Sequence, residues 1–169
     1  MLGLDEVWMV VANQPWQKVE DRAVSPAADR LALVEAAVAD LDGVVASGIE
    51  IDRGGPSYTM DTLVEIAAER PDAEVVVVLG ADAAAGLPTW HRAEELRQMA
   101  TFAVVDRPGL QSPPLPGGWR FRRVTVPRLD VSSSDLRSRV AEGRPIDVLV
   151  APTAIAEIEQ RRLYGWRRR

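Results

Sequence analysis

Five consecutive apolar residues, Val75, Val76, Val77, Val78 and Leu79, stand near the middle of the chain, and four of them are β-branched. Such a run is too short for a buried helix. It suits a strand covered on both faces, the pattern of a parallel α/β sheet. The run stops at Gly80-Ala81-Asp82, so a carboxylate follows directly on the strand's C-terminal end. Ligands of open α/β sheets bind along that edge, near a topological switch point. Asp82 is therefore either the cap of the next helix or a ligand contact, and this stretch alone does not separate the two.

The remaining apolar segments follow the same plan. Residues 7–12 (VWMVVA), 44–51, 101–105 and 121–126 read as further strands. Between them lie helical patterns with recognisable ends. Ser25-Pro26 is a cap followed by proline at the first helical position, and Leu31, Val34, Val38 and Leu41 then recur at helical spacing until Gly43. Ser57 or Thr59 caps a helix running to Arg70, which Pro71 closes. Further helices are expected over residues 92–99, from the serines at 132–134 to Gly143, and from about Thr153 to the Leu163-Tyr164-Gly165 stretch. Hydrophobic residues make up 47% of the chain and aromatic ones only 5%, so the core must be mainly aliphatic. The expectation is one α/β domain over residues 1–169, a Rossmann-like parallel sheet with helices on both faces.

Composition excludes several functions. A net charge of −5 and a sequence pI near 5.0 argue against nucleic acid as a partner by bulk electrostatics, and the arginine-rich tail 167–169 reads as a solvated terminus. There is no cysteine, hence no disulfide framework and no zinc-thiolate site. No signal peptide or membrane-length apolar run is present, which points to a cytoplasmic protein with no membrane partner. His91 is the single histidine, so one chain cannot build a two-histidine site. A homo-oligomer is compatible with the sequence but not specified by it.

Chemistry concentrates at four places. The stretch 52–63 (DRGGPSYTMDTL) is dense in turn and capping residues, and the helix start at Ser57, Tyr58 and Thr59 offers hydroxyls and free N–H groups to a carboxylate or phosphate. An ordinary capped helix is the alternative there. Trp90, in Leu87-Pro88-Thr89-Trp90-His91, is placed to stack on a flat ring or simply to pack, while His91 reads as a surface residue. Arg107, in Asp106-Arg107-Pro108-Gly109, marks the end of another strand, and the proline-rich residues 110–119 that follow read as a mobile loop. Ser132, Ser133 and Ser134 open a helix with Arg137 one turn on, about 5–6 Å along the same face. That set makes a phosphate cradle without a lysine. Lys18 in the loop after residue 12 and Arg30 in a first helical turn are secondary candidates, each able to reach an anion or a loop or to face solvent.

Taken in order, PSYTMDTL, GAD with LPTW, Asp106-Arg107-Pro108-Gly109 and VSSSDLR resemble the motifs of bacterial nicotinate mononucleotide adenylyltransferases, over essentially residues 2–166. Val131 and Ser134 are mild departures. Phosphopantetheine adenylyltransferases share the fold and the last motif, but PSYTMDTL with LPTW is similar to the pyridine-nucleotide branch. The resemblance implies that nicotinate mononucleotide attacks the α-phosphate of ATP, giving nicotinate adenine dinucleotide and pyrophosphate, with Mg2+ assisting. It implies that Trp90 stacks on the nicotinate ring, that Ser57, Tyr58 and Thr59 hold its carboxylate, and that Asp82 and Arg107 lie near ribose and adenylate. Ser133, Ser134 and Arg137 would grip the ATP phosphates.

One part of the family pattern has no counterpart. The family opens with a strand, a glycine-threonine-phenylalanine-aspartate loop and a histidine-x-glycine-histidine motif whose histidines bind the ATP phosphates. No catalytic residue can therefore be named in this chain. The resemblance implies an N-terminally incomplete domain whose absent strand belongs in the middle of the sheet, beside residues 7–12 and 75–79. Without it the chain is expected to be unstable or inactive alone, and a non-catalytic nucleotide-binding remnant is the alternative to an enzyme.

Overall fold

In the computed structural model, residues 2–15, 24–106, 113–127 and 129–167 are described. The elements run β1 (Val7–Val10), α1 (Ala27–Val38), β2 (Val44–Ser47), α2 (Ile49–Arg53), α3 (Thr59–Glu69), β3 (Val76–Gly80), α4 (Ala81–Ala85), a 3-10 turn (Leu87–Thr89), α5 (Ala93–Met99), β4 (Thr101–Asp106), β5 (Phe121–Thr125), α6 (Ser133–Ala141), a second 3-10 turn (Asp147–Leu149), α7 (Pro152–Gln160) and a third (Leu163–Gly165). This is the alternating order expected of an α/β protein. The chain divides into two compact units, one built on residues 57–129 and the other on residues 2–56 with 130–169.

The first unit carries the three-stranded parallel sheet β3-β4-β5. Its register pairs Val76 with Thr101 and Gly80 with Val105, then Phe102 with Phe121 and Asp106 with Thr125. Leu87, Leu96, Phe102 and Val104 are fully buried, and with Met60, Leu63, Ala84 and Ala100 they form one core. Trp119 meets Phe102 edge-on at 5.3 Å, and Leu115 packs on the same cluster. The described part of the expected mobile loop is thus irregular but packed; its first residues, with Arg107, lie outside the described residues.

The run that reads as a strand covered on both faces turns out differently. Val78 remains 49% exposed, whereas Phe102, Ala103 and Val104 in β4 are buried. The reason is position: among the described residues β4 has a neighbour on each side, while β3 pairs with β4 alone.

The second unit holds a two-stranded parallel sheet, Val7 opposite Val44 through Val10 opposite Ser47, with α1 as the crossover. The expected single sheet is thus two separate ladders among the described residues. Helix α1 packs on α7, where the Thr153 hydroxyl donates to the Ala36 carbonyl and Arg161 meets Asp29 at 3.0 Å. Val140, Ile146 and Ile158 form a smaller core with Leu136, Ile155 and Trp166 against it.

Two boundaries also differ. The strand expected over residues 44–51 stops at Ser47, and Ile49–Arg53 is helical. Glu50 and Asp52 lie in the first turn of that helix and Arg53 in its last, a charge order that suits the helix dipole and outweighs the β-preference of two isoleucines. Leu41, expected on the buried face of α1, lies beyond its last turn and is 54% exposed.

Candidate active site

Each unit carries its own set of candidate groups. In the first, α3 begins at Thr59 with Tyr58 as its N-cap residue, and no side chain caps it. The expected caps, Ser57 and Thr59, do not fill that role. The Tyr58 carbonyl instead accepts from the amides of Asp61 (3.1 Å) and Thr62 (3.2 Å) and from the Thr62 hydroxyl at 3.3 Å. Helix geometry leaves the Thr59 and Met60 amides without an acceptor in a preceding turn, so this terminus suits an anion.

The Tyr58 ring stacks on His91, with centroids 4.4 Å apart and planes 26° from parallel. That contact brings PSYTMDTL and LPTWH together, and it was not legible in the sequence. A histidine following Trp90, opposite a tyrosine thirty-odd residues earlier, gives no periodic signal. Next to it, Arg92 makes a two-pronged contact with Glu95 (2.9 and 2.7 Å) and approaches Asp61 of α3 at 3.5 Å. The paired arginine holds the Glu95 carboxyl below its usual range, chiefly by hydrogen bonding.

Trp90 follows the 3-10 turn Leu87–Thr89, its amide donating to Leu87 O at 3.0 Å. The indole is half-buried against the core cluster, and its Nε1–H is buried with no acceptor among the described residues. Packing and ligand stacking, the two alternatives for Trp90, are thus compatible, since the residue packs on the core yet is only partly buried. Asp82 is exposed in the first turn of α4, whose N-cap is Gly80. It is not the helix cap.

In the second unit, Ser132 caps α6 by accepting from the Asp135 amide at 3.1 Å. That leaves Ser133 and Ser134 exposed in the first turn. Arg137 donates to the Ser134 hydroxyl at 3.4 Å, the contact that the helical spacing predicts. Asp135, the one carboxylate of that turn, is engaged by Arg139 at 2.7 Å, which offsets its charge next to an anion site. Arg30, whose direction the sequence left open, turns to its neighbouring loop. It donates to the carbonyls of Ala12, Asn13 (2.9 Å) and Ser25 (3.0 Å). Asn13 in turn donates to Gly55 O at 2.9 Å. Lys18 and Arg107 lie outside the described residues.

Among the described residues no three histidine or carboxylate side chains cluster as a metal site, and no helix is long and apolar enough to cross a membrane. The alternating parallel β-α units are those of a nucleotidyltransferase fold, and residues 1–139 match the family described as Cytidylyltransferase-like. A protein of Streptomyces coelicolor named "Probable nicotinate-nucleotide adenylyltransferase" is 45% identical over 163 residues, covering 95% of this chain and 86% of that one. Its namesake from Frankia casuarinae is 43% identical over 167 residues, covering 97% and 87%. The chain belongs to the nicotinate-nucleotide adenylyltransferase family. Its fold also matches the Plasmodium falciparum nicotinic acid mononucleotide adenylyltransferase complexed with NaAD, with TM-score 0.74 at 16% identity over 97% of this chain and 84% of that one.

Proposed function

We propose that this chain provides the substrate-binding part of an enzyme that transfers the adenylyl group of ATP to nicotinate mononucleotide. A phosphate oxygen of the mononucleotide forms the new bond to the ATP α-phosphorus, the bond to the β-phosphate bridge breaks, and pyrophosphate leaves. The observation that carries this reading is the Tyr58–His91 stack, which joins an uncapped helix terminus to the residue following an accessible tryptophan. A carboxylate at the α3 N-terminus and a flat ring on Trp90 together describe a nicotinate. Asp82 and Arg107 are assigned to ribose and adenylate. The exposed hydroxyls of Ser133 and Ser134, with Arg137, are assigned to the ATP phosphates. Such transfers depend on positioning and on neutralising the charge of the leaving group.

Mg2+ enters as part of the MgATP substrate, held mainly by phosphate oxygens; that fits a site with no carboxylate cluster among the described residues. The pyridine nucleotide and ATP are the partners proposed, in the cytoplasm, with no nucleic acid.

We further infer that the nucleotidyltransferase domain includes a strand beyond these 169 residues, with the phosphate-binding histidine pair. Support comes from the sheet edges, each taken alone. Among the described residues β3 pairs only with β4 and leaves Val78 half-exposed, and β1 pairs only with β2 and leaves Met9 46% exposed. Long apolar edge strands are normally covered.

The test supplies ATP with nicotinate mononucleotide to the protein joined to such a histidine-bearing unit. Equal amounts of nicotinate adenine dinucleotide and pyrophosphate are expected. Pyrophosphate release that does not need the mononucleotide, or transfer to phosphopantetheine instead, overturns the assignment.

A further inference from the structure

We propose that His91 is a positioning residue: with Arg92 it latches the Trp90 loop to the first turn of α3 and so sets affinity for the mononucleotide without touching ATP. The proposal rests on the mononucleotide reading above. Three features of the loop lead to it. Upstream the chain is fixed, because Leu87 is fully buried, Trp90 N donates to Leu87 O, and the Thr89 hydroxyl donates to Gly86 O at 2.8 Å. Downstream it is strained. Trp90 is extended (φ −74°, ψ 154°), yet Arg92 is left-handed at φ 53° and ψ 43°.

A non-glycine residue stays in that region only where its surroundings over-determine it. Here they do. The guanidinium is held by Glu95 and directed at Asp61, and the Arg92 carbonyl accepts from Leu96 N at 3.0 Å. Between the fixed turn and the strained residue, the contacts reaching across to α3 are the His91 ring on Tyr58 and Arg92 towards Asp61. Tyr58 is itself rigid, since its carbonyl accepts two amides and a hydroxyl of α3. The imidazole therefore ties the backbone next to the indole to the helix terminus that would receive the nicotinate carboxylate. Removing it frees the distance between those two groups.

The experiment uses the protein joined to the histidine-bearing unit named above, and its variants His91→Ala and His91→Phe. In nucleotide-free protein, amide exchange over residues 89–92 should accelerate about tenfold in H91A and stay near wild type in H91F, because phenylalanine keeps a stack. Unchanged exchange in H91A overturns the latch whatever the protein binds. In separate titrations, H91A should weaken nicotinate mononucleotide about three- to tenfold and leave ATP within about twofold, with H91F restoring affinity. Equal loss for both nucleotides, or no rescue by phenylalanine, overturns the positioning role. A wild-type protein that binds no nicotinate mononucleotide overturns the function proposed above instead, and the exchange readout then decides the latch by itself.

Discussion

Val78 and Ala103 stand opposite one another across the β3–β4 ladder, yet Ala103 is fully buried and Val78 is 49% exposed. The most apolar run of the chain thus contributes less to its own core than the milder sequence beside it. Val78→Thr should change stability in urea by less than about 1 kcal/mol, as surface substitutions do. Ala103→Leu, which overfills a closed site, should cost about 1–3 kcal/mol. A large loss from V78T alone would mean that β3 is already covered.

Arg30→Ala removes three charge-assisted donors from the carbonyls of Ala12, Asn13 and Ser25. Hydrogen bonds to charged groups contribute about 1.5–3 kcal/mol, so a loss of about 2 kcal/mol is expected from the urea midpoint. Arg30→Lys should recover only part of it, because an ammonium cannot span the same fork.

Arg137→Ala should weaken ATP binding while nicotinate mononucleotide affinity is kept, measured by titrating each nucleotide separately. Ser134, in contact with Arg137 at 3.4 Å, should give a smaller effect of the same kind when changed to alanine. Equal loss of both nucleotides would indicate damage to the fold.

A small, solvent-screened part of the pH response follows from Glu142, as another does from Glu95. The Glu142 carboxyl is held below the ordinary value of 4.5, first by the Ser138 hydroxyl and then by Arg144, at 2.6 Å each. A depressed folded value means that the contribution is present above the unfolded value and is lost as pH falls through the lower folded one. Urea midpoints should therefore fall on acidification below about pH 4.5, and Glu142→Gln should flatten that fall. A midpoint equally steep in the glutamine variant would remove Glu142 from the response.

The sequence was most informative where its signals were local. The three serines and Arg137 predicted a helix start with the arginine one turn on along the same face, and the Ser132 cap and the Arg137–Ser134 bond, three residues apart, lie there. Residues 101–105 read as a strand because an apolar run ends at turn residues, and β4 lies there; 121–126 also read as a strand, and β5 lies there. Long-range facts were not legible. Whether Val78 is central or at an edge depends on which strand lies beside it, which no window of residues contains. Ile49-Glu50-Ile51 misled because two β-branched side chains weigh against a helix, although the charges around them favour one. His91 reads as a surface residue and is exposed; its stack on Tyr58 was not legible, because that partner comes from another element and only the folded chain brings the rings together.

The claim that the first unit holds a pyridine mononucleotide is tested most directly by calorimetric titration of nicotinate mononucleotide into the protein joined to the histidine-bearing unit, and into its Trp90→Ala variant. The account predicts saturable binding that the variant weakens by about 1–3 kcal/mol, the scale of one lost stacking contact, with ATP binding retained. Equal affinity in the two proteins would take Trp90 out of the site, and no saturable binding to the unaltered chain would contradict the account itself.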